Sequence, residues 1–211
     1  MNERNAYMNN ENRMIKNKNK IHQNILEVAS RIISEKGASN ITFEALSVEA
    51  DVARKTIYNH FENKSALLDE LIYPICEHAK DYLAVKTDNK YAELDDIWDY
   101  CIELWRDPTL NAALLYQITE QDYPQIHEIK SGFIILFKKF LMRIEAFKRL
   151  DEMDITILSD TIYTSYLPLL RSLKTIQNYE VVFKAGMNGL INGIFEKMKD
   201  NQRSRTSVAI C

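Results

Sequence analysis

The segment from Thr42 to Lys64 constrains the fold of this chain more than any other part of its sequence. It has the pattern of two short helices joined by a tight turn at Asp51. Ile57 and Phe61 lie four residues apart and are expected to face inward from the second helix. Because so short a helix buries little surface, its other side chains are expected to face a partner.

The rest of the chain has the periodicity of helices. Five glycines and four prolines in 211 residues are few, which favours long helices over a turn-rich β fold. A first helix is expected to end at Gly37 with a left-handed cap, and Asn63 is expected to cap a fourth helix. The later helices are predicted at about 93–105, 108–121, 124–148, 154–174 and 180–199. No segment has the period of a strand, so the predicted fold class is all-α.

The two ends of the chain are polar. Residues 1–18, with four asparagines among the first ten, are predicted to form a disordered basic and polar arm. Residues 200–211 are predicted to form a flexible tail. Between the ends we expect one domain at 19–66 and a second helical domain at 67–199.

Charge and cysteine content indicate the kind of partner and the compartment. Residues 1–64 hold ten Lys/Arg and eight Asp/Glu, whereas the whole chain carries a net charge of −3. A mildly basic N-terminal part on an acidic body is compatible with a local anionic partner. Three widely spaced cysteines favour a reducing compartment. No signal peptide is recognisable, and no apolar run approaches the ~18 residues of a membrane span. We therefore expect a cytoplasmic protein without a membrane partner.

The second helix of the opening segment carries side chains suited to a DNA groove. The B-DNA major groove admits one helix and shows a distinct donor and acceptor pattern for each base pair. Arginine or lysine can donate to guanine, and asparagine can pair with adenine, so the base-facing candidates are Arg54, Lys55 and Asn59. Phosphates are held by hydroxyls, imidazoles and amines near helix ends. The phosphate-contact candidates are Thr42, Thr56, Tyr58, His60 and Lys64.

Residues 21–71 resemble the N-terminal domain of the TetR family of transcriptional regulators. The resemblance rests on Ala29, Gly37 and Thr42, on the run TIYNHF at 56–61 and on the run NKSALL at 63–68. It implies an N-terminal three-helix helix-turn-helix domain that binds DNA, followed by a C-terminal helical bundle for dimerisation and effector binding. It also implies the same division between base-facing and phosphate-contacting residues.

Two positions depart from the family pattern. Asp51 stands in the turn where the family often has glycine. Ala53 stands where a serine or threonine often begins the recognition helix. An alanine at this N-cap costs about 1 kcal/mol of helix stability. These departures affect the detail of the helix-turn-helix rather than its assignment.

Small residues lie on one face of the last predicted helix. Each glycine inside a helix costs roughly 0.5–1 kcal/mol relative to alanine. Small residues four apart allow another helix to approach closely, so we interpret this helix and the 154–174 segment as a four-helix dimer interface. The alternative is close packing within one subunit. The interface candidates are Ala185, Gly186, Gly189 and Gly193.

Aromatic residues collect in the same region of the chain. A cavity lined by some of them would bind a hydrophobic or aromatic small-molecule effector. The alternative is ordinary core packing at helical spacing. The candidates for an effector pocket are Trp98, Trp105, Tyr116, Phe133, Phe137, Tyr163 and Tyr166.

These features predict a sequence-specific DNA-binding transcriptional regulator rather than an enzyme. Two recognition helices of a dimer would reach major grooves about 34–36 Å apart, which implies a near-palindromic operator in double-stranded DNA. The family default is a repressor released by its effector, and the alternative is a TetR-like protein that acts through a protein partner. No catalytic residue, cofactor or metal is expected, because the four histidines lack metal-ligand spacing and no nucleophile or phosphate-loop motif is present.

Overall fold

The structure is a computed structural model that describes residues 2–86, 93–107 and 109–208, with side chains at 12–82, 93–107 and 109–200. Within these residues the fold is all-α, as predicted, and no strand is present. Two short 3₁₀ helices occupy Ala38–Asn40 and Glu145–Phe147. The α-helices are α1 (Asn2–Lys36), α2 (Phe43–Glu49), α3 (Arg54–Tyr58), α4 (Lys64–Lys86), α5 (Leu94–Arg106), α6 (Leu114–Gln117), α7 (Ile126–Leu141), α8 (Glu152–Leu173) and α9 (Tyr179–Val208).

Both ends of the chain are more helical than their composition suggested. The residues predicted to form a disordered arm, 1–18, are instead helical from Asn2 as part of α1. No glycine or proline interrupts the first 36 residues, so nothing in them breaks a helix. The predicted tail, 200–211, is helical as far as Val208, and its last three residues lie outside the described part. Gly37 ends α1 with φ +86° and ψ 159°, a glycine conformation different from the left-handed helical cap expected there.

The helices predicted near 93–105, 154–174 and 180–199 are confirmed as α5, α8 and α9. The helix predicted at 108–121 is wrong, because the helical part of that segment is limited to Leu114–Gln117. The Asp107 carboxylate accepts hydrogen bonds from the backbone N–H and the hydroxyl of Thr109. Such a local turn offers the backbone an alternative to the helix.

The chain divides into two compact units. Unit 1 comprises Met1–Pro74 and Ala113–Ile126, and unit 2 comprises Ile75–Ala112 and His127–Cys211. The boundary therefore falls within α4, at Pro74, whereas the expected boundary was at 66, and the segment 113–126 joins the N-terminal unit. In the described part of the chain, no helix is long and apolar enough to cross a membrane.

Each unit has its own hydrophobic core. In unit 1, inward-facing residues of α1 to α4 are almost completely buried, among them Ile25, Ile33, Leu46, Ile57, Phe61 and Leu68. In unit 2, α8 packs against α9, and α5 packs against both. The large buried side chains there include Trp98, Phe137, Tyr166 and Phe183. The unit 1 core fixes the orientation of the helix-turn-helix.

Candidate DNA-binding surface

The turn between α2 and α3 has the geometry of a helix-turn-helix. Thr42 caps α2, since its Oγ1 accepts a hydrogen bond from the backbone N–H of Ala45 at 3.0 Å. Asp51 in the turn has φ +52°, which explains why this position suits glycine; aspartate is among the residues that tolerate it. Ala53 precedes α3 without a side-chain cap, as the sequence indicated.

Helix α3 is anchored by its inner face and exposed on its outer face. Ile57 is 0% exposed and Phe61 is 1% exposed, which confirms that both face inward. Arg54, Lys55 and Tyr58 are exposed. A helix held only by such an inner face presents its other side chains to solvent or to a partner.

The three base-facing candidates lie together on this exposed surface. Arg54 and Lys55 occupy the first turn of α3, and Asn59 follows directly after its last residue. The guanidinium carbon of Arg54 lies 5.9 Å from the centre of the Tyr58 ring. The Tyr58 ring in turn contacts the edge of Phe43, with ring centres 4.9 Å apart. These contacts restrain the first turn of α3 while its polar ends stay accessible.

The phosphate-contact candidates have different surroundings. Thr42 and Tyr58 are exposed, and Thr56 is half-buried on α3. The Thr42 hydroxyl oxygen already accepts the capping bond, so its hydrogen remains available for donation to an anion. His60 and Lys64 are half-buried and each contacts another titratable side chain of unit 1.

Lys64, the first residue of α4, forms an ion pair within unit 1. Its Nζ donates to the Asp122 carboxylate at 3.1 Å. Burial raises the pKa of Asp122, but hydrogen bonds from Thr119 and Lys64 outweigh this and hold the pKa below its ordinary value. Asp122 is therefore ionised at neutral pH and holds the Lys64 amine in an ion pair. No sequence pattern indicates this partner, which lies 58 residues away.

His60 belongs to a row of three titratable side chains. Nδ1 of His60 lies 3.2 Å from Nδ1 of His22 on α1. Nε2 of His22 lies 2.6 Å from the Glu70 carboxylate on α4. Burial lowers the pKa of His60, and the neighbouring His22 and Lys18 lower it further, whereas Glu70 opposes the shift. Sequence reasoning missed His22 and Glu70, since neither lies near His60 along the chain.

Most of the aromatic candidates for an effector pocket are buried in unit 2, where they pack against different partners. Phe133 lies beside Tyr163 and Phe137 beside Tyr166, with ring centres 6.4 and 6.0 Å apart. Trp98 instead donates from Nε1 to the Asn188 side chain at 2.7 Å. Two candidates differ in placement: Trp105 is half-buried, and Tyr116 belongs to unit 1.

Unit 2 contains a small internal cavity. Its volume of about 10 Å³ leaves room for at most one water molecule. Phe137 is the one predicted pocket residue in its lining; the others are Tyr82, Ile97, Tyr100, Leu136 and Phe140. Among the described residues, the buried Tyr100 hydroxyl and His78 Nδ1 have no hydrogen-bond partner. Buried polar atoms usually have one.

The small-residue face of α9 is exposed. A Cβ added at Gly189 or Gly193 would meet no atom within 4 Å, and one added at Gly186 would meet the Leu169 side chain of α8 at 3.4 Å. Ala185 is exposed on the same side of the helix. In the described residues, close packing within one subunit therefore does not explain Gly189 and Gly193.

The N-terminal helices match the sequence pattern of a known family. Residues 25–71, which include α2 and α3, match the family described as bacterial regulatory proteins, tetR family. A curated relative, the transposon Tn10 TetC protein of Escherichia coli, is 25% identical over 113 residues, or 53% of this chain. That match spans 57% of the relative's own length.

Several solved structures share the fold, and two of them illustrate it. The chain is similar to NalD, the secondary repressor of the MexAB-OprM multidrug efflux pump in Pseudomonas aeruginosa, with a TM-score of 0.56 and 20% identity over 86% of this chain and 96% of that one. It is also similar to AibR, solved in complex with isovaleryl coenzyme A and operator DNA, with a TM-score of 0.60 and 14% identity over 81% of this chain and 97% of that one. The helix-turn-helix segment therefore matches the tetR family of bacterial regulatory proteins, and most of the chain shares the fold of these two solved structures.

Proposed function

We propose that this protein is a sequence-specific DNA-binding transcriptional regulator that reads the major groove with α3. The observation that carries the proposal is the contrast between buried and exposed side chains of the α3 segment. Ile57 and Phe61 fix the helix to the core, whereas Arg54, Lys55 and Asn59 are exposed. Fixed orientation combined with exposed donors is what base readout requires.

In this proposal the phosphate contacts surround α3. Thr42 lies at the N-terminus of α2, Thr56 and Tyr58 lie on α3, and His60 follows it. Lys64 contributes once a phosphate displaces Asp122. Further positive charge comes from described residues of α1, namely Arg13, Lys16, Lys18 and Lys20. Such contacts supply affinity that falls as salt concentration rises.

The proposal includes a homodimer formed through α8 and α9. The exposed face of α9 that carries Gly189 and Gly193 also carries the exposed apolar residues Val182 and Leu190. An apolar face with room at its glycines fits a closely approaching partner helix. A symmetric dimer places two copies of α3 on two half-sites, so the operator is expected to be near-palindromic.

Repression relieved by a small molecule is the proposed mode of regulation. AibR, which shares the fold, was solved with isovaleryl coenzyme A and operator DNA. In this chain, Tyr100 and His78 offer polar atoms that lack a partner among the described residues, close to the aromatic lining of the cavity. A hydrophobic or aromatic ligand that enlarges this cavity would engage them. In the alternative, a protein partner replaces the ligand, and mass spectrometry of the purified protein would find no bound small molecule.

Genome-wide footprinting in the source cell tests the function. Wild-type protein is expected to protect a small set of related, near-palindromic sites beside promoters. Arg54→Ala is expected to protect a broader set of sites, with relaxed preference at one position in each half-site, while the protein remains folded. Protection of unrelated sequences by both proteins would reject sequence-specific regulation.

A further inference from the structure

Three side chains of unit 1 form a continuous row that ends at a candidate phosphate contact. Glu70 of α4 contacts His22 of α1 at 2.6 Å, and His22 contacts His60 at 3.2 Å. A direct phosphate contact by His60 accounts for His60 alone. It gives no role to His22 and Glu70.

The row is held in place by packing. The His22 ring stacks on Phe61, with ring centres 4.8 Å apart and an interplanar angle of 24°. Phe61 is itself almost completely buried and anchors the end of the α3 segment. The ring of His22 is therefore restrained on one side by an aromatic face and at both nitrogens by hydrogen-bond partners.

The geometry dictates the tautomers when both histidines are neutral. A carboxylate accepts only, so His22 must donate to Glu70 from Nε2. A neutral imidazole has one N–H, which leaves Nδ1 of His22 as an acceptor. His60 must then donate from its own Nδ1. Its Nε2 carries no hydrogen in this state and cannot donate to a phosphate oxygen.

One additional proton from solvent reverses this arrangement. His22 then carries a hydrogen on both nitrogens and donates to Glu70 and to His60. Nδ1 of His60 becomes an acceptor, so the single hydrogen of His60 moves to Nε2. In this state His60 donates to a phosphate, and the added positive charge lies one ring behind it.

We propose that His22 and Glu70 are positioning residues that set the tautomer of His60, so that its contact with a DNA phosphate requires the histidine pair to hold one additional proton. This inference rests on the proposed function. Affinity for DNA is then highest at low pH, where the pair holds the proton, and falls as pH rises and the proton is lost.

Charged groups of α1 and α4 surround the histidine pair. Partial burial lowers the pKa of His60, and the His22 ring and Lys18 of α1 lower it further. Glu70 of α4 opposes this shift and contacts Nε2 of His22 directly. A positive charge on the His22 ring therefore lies next to a carboxylate.

The test measures the affinity of the full-length protein for a duplex that it has selected from a random-sequence pool. Titrations at constant salt cover about pH 5.5 to 8.5, the range in which histidine titrates. For each half-site, wild type is expected to bind about tenfold more weakly at the upper end, the loss of one charge-assisted hydrogen bond per subunit. Glu70→Gln is expected to move the midpoint of this change to lower pH, because the charged pair loses its carboxylate. The control Glu62→Gln removes the same charge from an exposed side chain of unit 1 and is expected to leave the midpoint unchanged.

A second variant separates tautomer control from structural support. His22→Phe keeps the aromatic stack on Phe61 but removes both nitrogens that connect Glu70 to His60, the relay through which the tautomer of His60 is set. His60 is then free to carry its hydrogen on Nε2, so His22→Phe is expected to bind more tightly than wild type at high pH. A purely structural role predicts weaker binding at every pH. That result, or an unchanged midpoint in Glu70→Gln, would overturn the inference.

The tautomers can also be observed without DNA. Long-range ¹H–¹⁵N correlation spectra of the free protein distinguish the Nδ1–H and Nε2–H forms of each ring. His60 is expected to change from Nδ1–H at high pH to Nε2–H as His22 becomes doubly protonated. A single tautomer of His60 throughout would reject the relay. If the spectra show the change but wild type selects and binds no duplex at any pH, the proposed function fails and the relay stands.

Discussion

The exposed glycine face of α9 is covered either by solvent or by a partner helix, and a larger side chain there is expected to stabilise the protein in the first case and to weaken its dimer in the second. Gly189→Leu adds a side chain at a position where a Cβ meets no atom of the same subunit within 4 Å. If solvent covers this face, the change replaces a poor helix former by a good one and stabilises the fold. If a partner helix covers it, the added side chain has no space.

The expected changes in the free energies of unfolding and of dimerisation distinguish these two outcomes. Replacing glycine by leucine inside an exposed helix raises the free energy of unfolding by about 0.8 kcal/mol. Overfilling a close-packed contact costs about 1–3 kcal/mol, and a symmetric dimer contains the change twice. We therefore expect Gly189→Leu to weaken the dimer by about 2–6 kcal/mol, which raises the dissociation constant at least about thirtyfold.

Sedimentation equilibrium over a range of concentrations measures this constant, and chemical denaturation measures the free energy of unfolding. Gly132→Leu is the matched control, since Gly132 on α7 is also exposed and has no atom within 4 Å of an added Cβ. The control is expected to gain helix stability and to dimerise like wild type. If Gly189→Leu behaves like this control, α9 is not the dimer interface.

Four further predictions concern the DNA-binding unit. Arg54→Ala is expected to cost about 1–3 kcal/mol of operator binding and to relax preference at one base pair, as read by competition with single-base operator variants. Lys64→Ala is expected to weaken all duplexes alike and to lower the slope of log affinity against log salt by about one. Asp122→Asn is expected to strengthen binding to all duplexes, because it releases Lys64; unchanged affinity would show that the ion pair does not compete with phosphate. Thr42→Ala is expected to lower the free energy of unfolding by about 1 kcal/mol in denaturant titrations, whereas Thr42→Ser keeps the capping oxygen and is expected to retain it.

The sequence predicted those features of the site that depend on residues close together in the chain. The inward positions of Ile57 and Phe61 follow from helical spacing. Asn63 was expected to cap α4, and its side chain accepts a hydrogen bond from the backbone N–H three residues later, as that of Thr42 does at α2. Such contacts are set locally, so a short pattern is sufficient to identify them.

The contacts that sequence reasoning missed join residues far apart. His22 and Glu70 are separated by 48 residues, and Lys64 and Asp122 by 58. No short pattern relates such pairs, because their approach depends on how α1, α4 and the 113–126 segment pack within unit 1. Partners of this kind decide whether His60 and Lys64 are available to phosphate. The exposed residues Arg54 and Lys55 depend less on such packing.

The secondary structure of two segments was predicted wrongly from their sequence. Polar, asparagine-rich residues at the start of the chain suggested disorder, yet they lack any residue that breaks a helix, and α1 begins at Asn2. The segment after Asp107 suggested a helix from its apolar content. Local hydrogen bonds from Thr109 to Asp107 hold a turn instead. In both cases backbone preferences outweighed the hydrophobic pattern.

Base readout by α3 is tested by letting the purified protein select duplexes from a random-sequence pool. We expect enrichment of one near-palindromic sequence whose half-sites lie about one helical turn apart, 34–36 Å. Arg54→Ala is expected to select a pool with relaxed preference at one position in each half-site. A wild-type pool without any enriched sequence would contradict base readout by α3.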